Sequence, residues 1–258
     1  MKWRWFEGGK GPVMVLLPGF AASPKTLLRL GRQLAVHFRV LLPQIPGFDL
    51  EAPLSLPEYR LNRQVERLDR WFEAMKLKGV LLGGNSAGGQ LAALYALQFP
   101  EKVNQLILLA PQGAGDDRFH PYDQKTQYPH SQKDLVQELS QLYACPPAFT
   151  GEAMNRLIQE KQKNWDFLNQ IRLSIQLEPS HRINDLLPGL KVPALLIWGT
   201  QDGRLPVRLA EVWRGATGLV EAHLLDHCGH MPQIEQTATC VQLITAFCEA
   251  HSSSPREA

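Results

Sequence analysis

Short apolar segments alternate with amphipathic helical segments along most of the chain. Six apolar runs predict β-strands, and nearly all of them except the last lack polar alternation, which is typical of parallel strands covered on both faces. Helical segments separate them, so the pattern predicts a doubly wound, mostly parallel α/β sheet. The predicted strands span residues 13–17, 40–42, 80–82, 106–109, 194–198 and 220–225, and the predicted helices span residues 24–36, 61–75, 86–99, 206–213 and 234–250.

One long segment interrupts this alternation, because no good strand pattern occurs between residues 115 and 188. A capping box that begins at Ser131 opens a predicted helix through Tyr143, and a second helical stretch runs from Glu152 to about residue 175. We expect this segment to be a helical cap over the carboxyl ends of the strands, where ligands bind in open α/β folds. The predicted organisation is a core of residues 1–114 and 189–258 with a cap of residues 115–188.

The most informative motif is the run Gly-Val-Leu-Leu-Gly-Gly-Asn-Ser-Ala-Gly-Gly at residues 79–89, which predicts a buried strand entering a glycine-lined turn. Ser86 lies at the apex, in the G-x-S-x-G spacing of a nucleophile elbow, where a strained strand-to-helix turn exposes the serine hydroxyl. A Cβ at Gly84 or Gly88 is expected to collide with the neighbouring strand or helix. Ser86 is therefore the candidate nucleophile.

A serine hydroxyl needs a neighbouring base, so the elbow predicts a carboxylate and then a histidine further along the chain. Asp202 follows the predicted strand 194–198, and His230 follows the last predicted strand. Gly229 allows the loop before His230 to turn the ring inward. Both side chains thus leave the carboxyl ends of successive strands, and we predict Asp202 as the orienting acid and His230 as the base.

Alternatives exist for both of these residues. Asp226 is the rival acid, although a turn residue at the end of a strand is its more ordinary role. His223 and His227 lie within or at the end of the last predicted strand, and the remaining histidines lie in helices, the predicted cap or the tail. His227 and His230 have the i, i+3 spacing of a metal pair, but no third or fourth ligand is evident, so we expect no metal.

An acyl-transfer reaction also needs donors for the developing oxyanion. The backbone N–H of Ala87 follows the nucleophile directly and lies at the amino end of the next helix. The second donor is expected in the loop after the first predicted strand, where the backbone N–H of Phe20 is the best candidate. The alternative for Pro18-Gly19 in that loop is a simple turn.

Charge and cysteine content limit the partners and the compartment. The 27 Lys+Arg and 25 Asp+Glu residues give a net charge of +2, which makes no electrostatic case for nucleic acid. The densest basic run, at residues 60–70, predicts a solvated helix face. The positions of the four cysteines predict free thiols. No apolar run approaches the ~18 residues of a membrane span, so we expect a cytoplasmic protein without an integral membrane segment.

With these motifs the chain resembles the α/β-hydrolase family over nearly its whole length, and it looks most like the bacterial family V lipases and the related monoacylglycerol lipases. The resemblance rests on the segments 18–21, 45–48, 84–88, 99–103, 109–113, 196–202 and 228–232 and on the cap segments around 146–147 and 165–167. One departure is Pro18, where the family usually has a histidine that helps to brace the oxyanion loop. The resemblance implies a triad of Ser86, Asp202 and His230 with backbone oxyanion donors at Phe20 and Ala87.

The first function hypothesis is hydrolysis of a small-molecule carboxylic ester with an apolar acyl chain through an acyl-enzyme, without a cofactor. The predicted cap supports it with aromatic side chains that could line an acyl pocket. Related proteins with a short cap cleave a C–C bond in a vinylogous diketone, which is the second hypothesis and favours arginines such as Arg172 or Arg182 for an acidic substrate. A non-catalytic ligand-binding protein is the third. The oligomeric state is not predicted. The aromatic residues are Phe119, Tyr122, Tyr128, Tyr143, Phe149, Trp165 and Phe167.

Overall fold

A computed structural model describes residues 3–48, 53–115, 128–176 and 182–252. Within these residues the chain forms a seven-stranded sheet with the order β1-β3-β2-β4-β5-β6-β7. Only the pairing of β1 with β3 is antiparallel, and the other pairs in this sheet are parallel. The strands are β1 (Arg4–Gly8), β2 (Val13–Leu17), β3 (Arg39–Gln44), β4 (Val80–Asn85), β5 (Val103–Leu109), β6 (Ala194–Gly199) and β7 (Val220–Leu225).

Helices cover both faces of this sheet. Alternate residues of the central strands divide between two apolar layers, since successive strand side chains point to opposite faces. Val15 and Leu17 belong to the layer with the helices Leu61–Met75, Ala87–Gln98 and Leu209–Ala216, whereas Met14 and Leu16 belong to the layer with the helices Leu28–Leu34 and Thr237–Ala250. The α-helices are α1 (Leu28–Leu34), α2 (Leu61–Met75), α3 (Ala87–Gln98), α4 (Gln132–Leu142), α5 (Gly151–Gln176), α6 (Leu209–Ala216), α7 (Pro232–Glu235) and α8 (Thr237–Ala250).

The doubly wound, mostly parallel sheet is confirmed, and β2 and β7 have the predicted bounds. The structure differs from the predicted pattern in one strand and one helix. The pattern did not predict β1, because all five of its residues are exposed and no apolar stripe marks an edge strand of this kind. The single helix predicted at 234–250 is divided at Gln236 into α7 and α8.

The basic run on α2 is not wholly a solvated face. Arg67 is only 4% exposed, and its Nη2 donates to a carboxylate oxygen and to the backbone carbonyl of Glu58, both at 2.8 Å. The Arg67 guanidinium therefore stabilises the short 3-10 turn that precedes α2. None of the helices in the described part of the chain is long and apolar enough to cross a bilayer.

The helices α4 and α5 occupy the segment in which a cap is predicted. A capping box of Ser131 and Asp134 opens α4, as predicted, and α5 extends over 26 residues. Lys161 on α5 binds Glu138 on α4 through an Nζ–Oε1 contact of 2.8 Å. Ile171 and Ile175 anchor the end of α5 in the core. The division into core 1–114 and 189–258 and cap 115–188 stays a prediction.

Candidate active site

Ser86 lies between β4 and α3 in a strained backbone conformation, with φ 54° and ψ −120°. Few non-glycine residues adopt a positive φ, so the surroundings must hold it. Backbone hydrogen bonds provide that constraint. The Ser86 N–H donates to the carbonyl oxygen of Leu109 at 3.0 Å, and the Ser86 carbonyl accepts from the N–H groups of Gln90 and Gln112 at 3.1 and 2.9 Å.

The glycines that flank Ser86 are required by space. A Cβ on Gly84 would lie 2.6 Å from the backbone carbon of Gly88 and from the carbonyl oxygen of Leu17. A Cβ on Gly88 would lie 2.3 Å from the Leu17 oxygen and 2.4 Å from the Pro18 oxygen. The structure therefore confirms that a side chain at either position would collide with its neighbours. The atoms that it would meet belong to the backbone and cannot rotate away.

His230 and Asp202 form a buried hydrogen-bonded pair. Their Nδ1 and Oδ2 atoms are 2.8 Å apart, with 4% and 0% of the two side chains exposed. The second carboxylate oxygen of Asp202 accepts from the backbone N–H groups of Arg204 and Leu205, both at 2.8 Å. These donors orient the carboxylate toward the imidazole. Asp226, the rival acid, is exposed, and the carboxylate that bonds to His230 is that of Asp202.

Asn85, the residue before Ser86, connects the elbow to the histidine loop. Its Nδ2 donates to the carbonyl oxygens of Leu109 and His230 at 3.0 and 3.1 Å. The Asn85 side chain is buried, so both bonds are made away from water. Sequence reasoning assigned no task to this residue. Its contact with His230 spans 145 positions in sequence, and no local pattern contains that information.

The carboxyl end of α4 is bonded directly to the two loops that carry His230 and Asp202. The Leu142 carbonyl accepts the His230 N–H at 2.8 Å, and the Gln141 carbonyl accepts the Gly203 N–H at 3.1 Å. Carbonyls in the last turn of a helix have no partner within the helix, so each needs an outside donor. The loop of the predicted acid and the loop of the predicted base supply one each.

Glu235 also joins the loop that carries His230 to the segment that follows α4. Its carboxylate accepts from the backbone N–H of Gly229 at 2.9 Å and from that of Ala144 at 2.8 Å. A Cβ on Gly229 would lie 2.8 Å from the Ala144 nitrogen, so glycine permits this close approach. Burial raises the pKa of Tyr143, and the negative charge of Glu235 raises it further. Sequence reasoning missed Glu235 altogether.

A cavity of about 590 Å³ extends from Ser86 and His230 toward α4 and α5. Phe20 and Ala87, the predicted oxyanion donors, also line it. The Ala22 N–H donates to the Gly19 carbonyl at 3.1 Å, so the loop contains a turn and still borders the cavity. The apolar part of the wall includes Phe20, Ile45, Phe48, Leu61, Leu168 and Ile175.

Only part of the predicted aromatic lining faces this cavity. Tyr143 and Trp165 line it, whereas Phe167 packs edge-on against Tyr59 with ring centroids 5.7 Å apart. Phe149 is exposed. Tyr128 packs edge-on against Trp165, and Phe119 and Tyr122 lie outside the described residues.

Of the arginines considered from the sequence, Arg172 lines the cavity and Arg182 is exposed outside it. The structure adds Arg204, two residues after Asp202, which was not considered from the sequence. Burial lowers the pKa of both cavity arginines. For Arg204 the nearby charge of Arg172 lowers the pKa further, whereas Glu138 and Asp202 act in the opposite direction.

The fold and the elbow match a known family. The family described as alpha/beta hydrolase fold matches residues 12–237. The chain belongs to the α/β hydrolase fold family. Its relatives include lipases, and the resemblance predicted from the motifs is thereby confirmed. The chain is similar to monoacylglycerol lipase ABHD6 of Homo sapiens, with 26% identity over 263 residues that cover 94% of this chain and 77% of that protein.

The chain is also similar to a hydrolase that is named for a dienoate and to a phospholipase of solved structure. The 2-hydroxy-6-oxo-6-phenylhexa-2,4-dienoate hydrolase of Comamonas testosteroni is 25% identical over 245 residues, which cover 89% of this chain and 85% of that protein. Among solved structures, a membrane phospholipase A described as a bacterial virulence factor superposes with a TM-score of 0.84 at 25% identity, covering 98% of this chain and 84% of that one.

Proposed function

We propose that this α/β hydrolase cleaves carboxylic esters with an apolar acyl chain through an acyl-enzyme. The observation that carries the proposal is that a strained Ser86 and a His230 bonded to the buried Asp202 border the same cavity. A serine, a histidine and an orienting carboxylate are the parts from which serine hydrolases of unrelated folds are built, and the elbow is the turn that presents the serine in α/β hydrolases.

In the proposed mechanism the Ser86 hydroxyl attacks the ester carbonyl carbon while the second ring nitrogen of His230 takes its proton. The backbone N–H groups of Phe20 and Ala87 stabilise the oxyanion of the tetrahedral intermediate. The C–O bond to the alcohol then breaks, and His230 returns the proton to the leaving oxygen. Water, deprotonated by His230, attacks the acyl-enzyme, and Ser86 leaves with the proton. Asp202 holds the imidazole in the required tautomer and orientation.

Ser86→Ala protein tests the nucleophile. We expect hydrolysis of p-nitrophenyl esters to fall by several orders of magnitude, since members of a triad act as a unit. An organophosphonate probe should add one label, and tryptic mass spectrometry should place it on Ser86. Ser252→Ala is the matched control, because Ser252 is exposed and lies outside the cavity lining. Full activity of the Ser86→Ala protein, or a label on another residue, would refute the assignment of Ser86 as the nucleophile.

The apolar wall around Phe48, Leu168 and Ile175 supports the choice of acyl chain. Burying one CH₂ is worth about 0.8 kcal/mol, so kcat/KM should rise by roughly fourfold per carbon at best until the acyl chain fills the apolar part of the cavity. A series of p-nitrophenyl esters and monoacylglycerols of increasing chain length measures this. Medium chains should outperform acetate. A steady fall from acetate upward would contradict the apolar acyl site.

Cleavage of a C–C bond in an acidic diketone is the second candidate. Two observations favour it: Arg172 and Arg204 line the cavity, and the relative from Comamonas testosteroni is named for a dienoate substrate. The same assay panel therefore includes a dienoic diketone. Efficient turnover of that compound with negligible ester hydrolysis would assign the chain to this second class. A loss of both activities in Ser86→Ala would exclude a receptor without catalytic function.

A further inference from the structure

Four aromatic rings form a row from helix α5 to the loop that carries the Phe20 N–H. Phe167 of α5 packs edge-on against Tyr59. Tyr59 packs in the same way against Phe48, and Phe48 packs against Phe20. Along the row the ring centroids are 5.7, 5.3 and 5.4 Å apart, and the ring planes cross at 81°, 76° and 71°. Edge-to-face packing at such distances is a favoured and directional arrangement, so each ring in this aromatic row orients the next.

Tyr59 holds the middle of the aromatic row with both its ring and its hydroxyl. The residue is fully buried, and its hydroxyl donates to the Gly47 carbonyl and accepts from the Leu54 N–H, both at 3.0 Å. A Cβ on Gly47 would lie 2.8 Å from the hydroxyl oxygen, so glycine provides the space for this bond. Gly47 precedes Phe48 directly. Tyr59 therefore holds the backbone before Phe48 as well as the Phe48 ring.

The other end of the aromatic row lies beside Ser86. A Cβ on Gly19 would lie 3.5 Å from the Ser86 Cβ, so the loop that carries Phe20 packs against the elbow. The backbone directly after Phe20 is strained, because Ala21 has a φ of 52°. A non-glycine residue keeps such a conformation only where its surroundings hold it. The packing of the Phe20 ring against Phe48 is one of the contacts that hold this loop.

We propose that the aromatic row transmits the position of α5 to the Phe20 N–H, and that Tyr59 and Phe167 are positioning residues of the reaction at Ser86. The statement rests on the proposed function, in which this N–H stabilises the oxyanion. Neither Tyr59 nor Phe167 lines the cavity, so both act through Phe48 and Phe20 rather than on the substrate. A misplacement of about 1 Å in a reacting geometry costs on the order of a hundredfold in rate, so a small shift of the row is measurable.

Phe167→Leu and Phe167→Tyr test the aromatic row during turnover of p-nitrophenyl esters. Leucine is apolar but has no ring, so we expect kcat to fall by about tenfold at similar KM, since an oxyanion donor acts on the transition state. Tyrosine keeps the ring and should keep the parent kcat. A parent kcat in Phe167→Leu would show that the ring is not needed. A raised KM at unchanged kcat would show that residue 167 affects substrate binding alone. Either result overturns the proposal.

Phe72→Leu is the matched control for the loss of a packed ring. Phe72 is fully buried in α2, its ring centroid lies 4.7 Å from that of Tyr95, and it is outside the cavity lining. Because Phe72 is more deeply buried than Phe167, Phe72→Leu should lower Tm at least as much as Phe167→Leu does, with the kcat and KM of the parent. A fall in kcat in Phe72→Leu equal to that in Phe167→Leu would assign both to a general loss of packing and reject the positioning role.

Tyr59→Phe separates the hydroxyl of Tyr59 from its ring. The change removes the bonds to Gly47 and Leu54 and keeps the edge-on packing, so kcat should fall at similar KM. Since Tyr59 and Phe167 act through the same ring of Phe48, the double variant with Phe167→Leu should lose less than the product of the two single losses. A loss equal to the product, or parent kinetics in Tyr59→Phe, would overturn the role of Tyr59. If Phe167→Leu does not fold, Tyr59→Phe decides.

The rate at which a phosphonate labels Ser86 separates this inference from the proposed reaction class. With ethyl p-nitrophenyl hexylphosphonate, the Ser86 oxygen bonds to phosphorus, p-nitrophenolate leaves, and His230 takes the hydroxyl proton. The phosphoryl oxygen takes the place of the oxyanion, so labelling uses the same donors without a carboxylic ester. We expect Phe167→Leu to slow labelling by about tenfold, and Phe167→Tyr and Phe72→Leu to react at the parent rate. If no ester is hydrolysed but this difference is found, the reaction class is wrong and the aromatic row stands. Equal labelling rates in Phe167→Leu and the parent reject the row, whatever the enzyme hydrolyses.

Discussion

Replacing Gly88 by alanine is the sharpest test of how the elbow is built. Gly88 lies in the first turn of α3 and packs on the end of β2, from which the loop to Phe20 begins. A Cβ at this position would lie 2.3 Å from the Leu17 oxygen, and real Cβ contacts essentially never fall below 3.0 Å. Opening the contact from 2.3 to 3.0 Å requires α3 and β2 to separate by 0.7 Å.

The cost of that separation can be weighed against the benefit of alanine in a helix. Overpacking a filled site costs about 3 kcal/mol at the upper end of its usual range, and backbone atoms place Gly88→Ala there. Alanine recovers about 1 kcal/mol of helix propensity. We therefore expect a net loss of about 2 kcal/mol, which lowers Tm by about 4–8 °C in a chain of this size. Because the displaced strand leads to Phe20, kcat should also fall by about tenfold to hundredfold.

Thermal unfolding and ester kinetics on three alanine variants measure this. A Cβ on Gly31 has the end of the Leu42 side chain as its nearest neighbour, with Cδ1 at 2.9 Å, and a Cβ on Gly215 meets no atom within 4 Å. Both glycines lie in helices, so Gly31→Ala and Gly215→Ala should unfold at or above the Tm of the parent protein with unchanged kinetics. If Gly88→Ala matched Gly215→Ala in both Tm and kcat, the contact between the elbow and the proposed oxyanion loop would not constrain the site.

Three further predictions concern the proposed acid, Glu235 and the cysteine thiols. Asp202→Asn should lower kcat by about 10⁴-fold, whereas Asp226→Asn should leave kinetics unchanged; the reverse order would show that the acid assignment is wrong. Glu235→Gln leaves one backbone N–H without its carboxylate acceptor, so we expect a loss of about 1–3 kcal/mol in the free energy of unfolding and a lower kcat at similar KM, measured by urea unfolding and steady-state kinetics. Burial raises the pKa of the thiols of Cys228, Cys240 and Cys248 to about 12, so only about 10⁻⁴ of each is thiolate at pH 8. A disulfide reagent should thus titrate the exposed Cys145 alone until the protein is unfolded, and fast reaction of a second thiol in the native state would contradict this.

The parts of the fold that follow from local pattern were predictable from the sequence. Five strands, β2 to β6, carry apolar runs because their faces are covered, and Leu61–Met75 has the amphipathic spacing of a helix that lies on a sheet. The strand Arg4–Gly8 does not carry such a run. It is held by its antiparallel pairing with Arg39–Gln44 rather than by burial of its own side chains. Backbone pairing of this kind has no signature in one strand alone.

The same distinction applies to the candidate site. Ser86 and His230 follow strands and lie beside glycines, and Asp202 follows a strand between them in chain order, so local pattern and chain order were enough to predict all three. Asn85 and Glu235 are different, since what they do depends on partners far away in sequence. Glu235 reaches Ala144, which is 91 positions earlier. The sequence shows that a carboxylate is available at 235, but only the packed fold shows which N–H groups face it.

The hydrogen bonds at the end of α4 have a consequence for protein engineering. The His230 and Gly203 N–H groups are bound by carbonyls of α4, and Glu235 joins the histidine loop to Ala144 just beyond it. Residues 141–144 therefore help to position the candidate active site, although they lie in the segment that would be exchanged to alter substrate preference. A chimera that imports residues 128–176 from a relative should keep its register at 141–144. Otherwise the graft would change the positions of the proposed acid and base together with the substrate pocket.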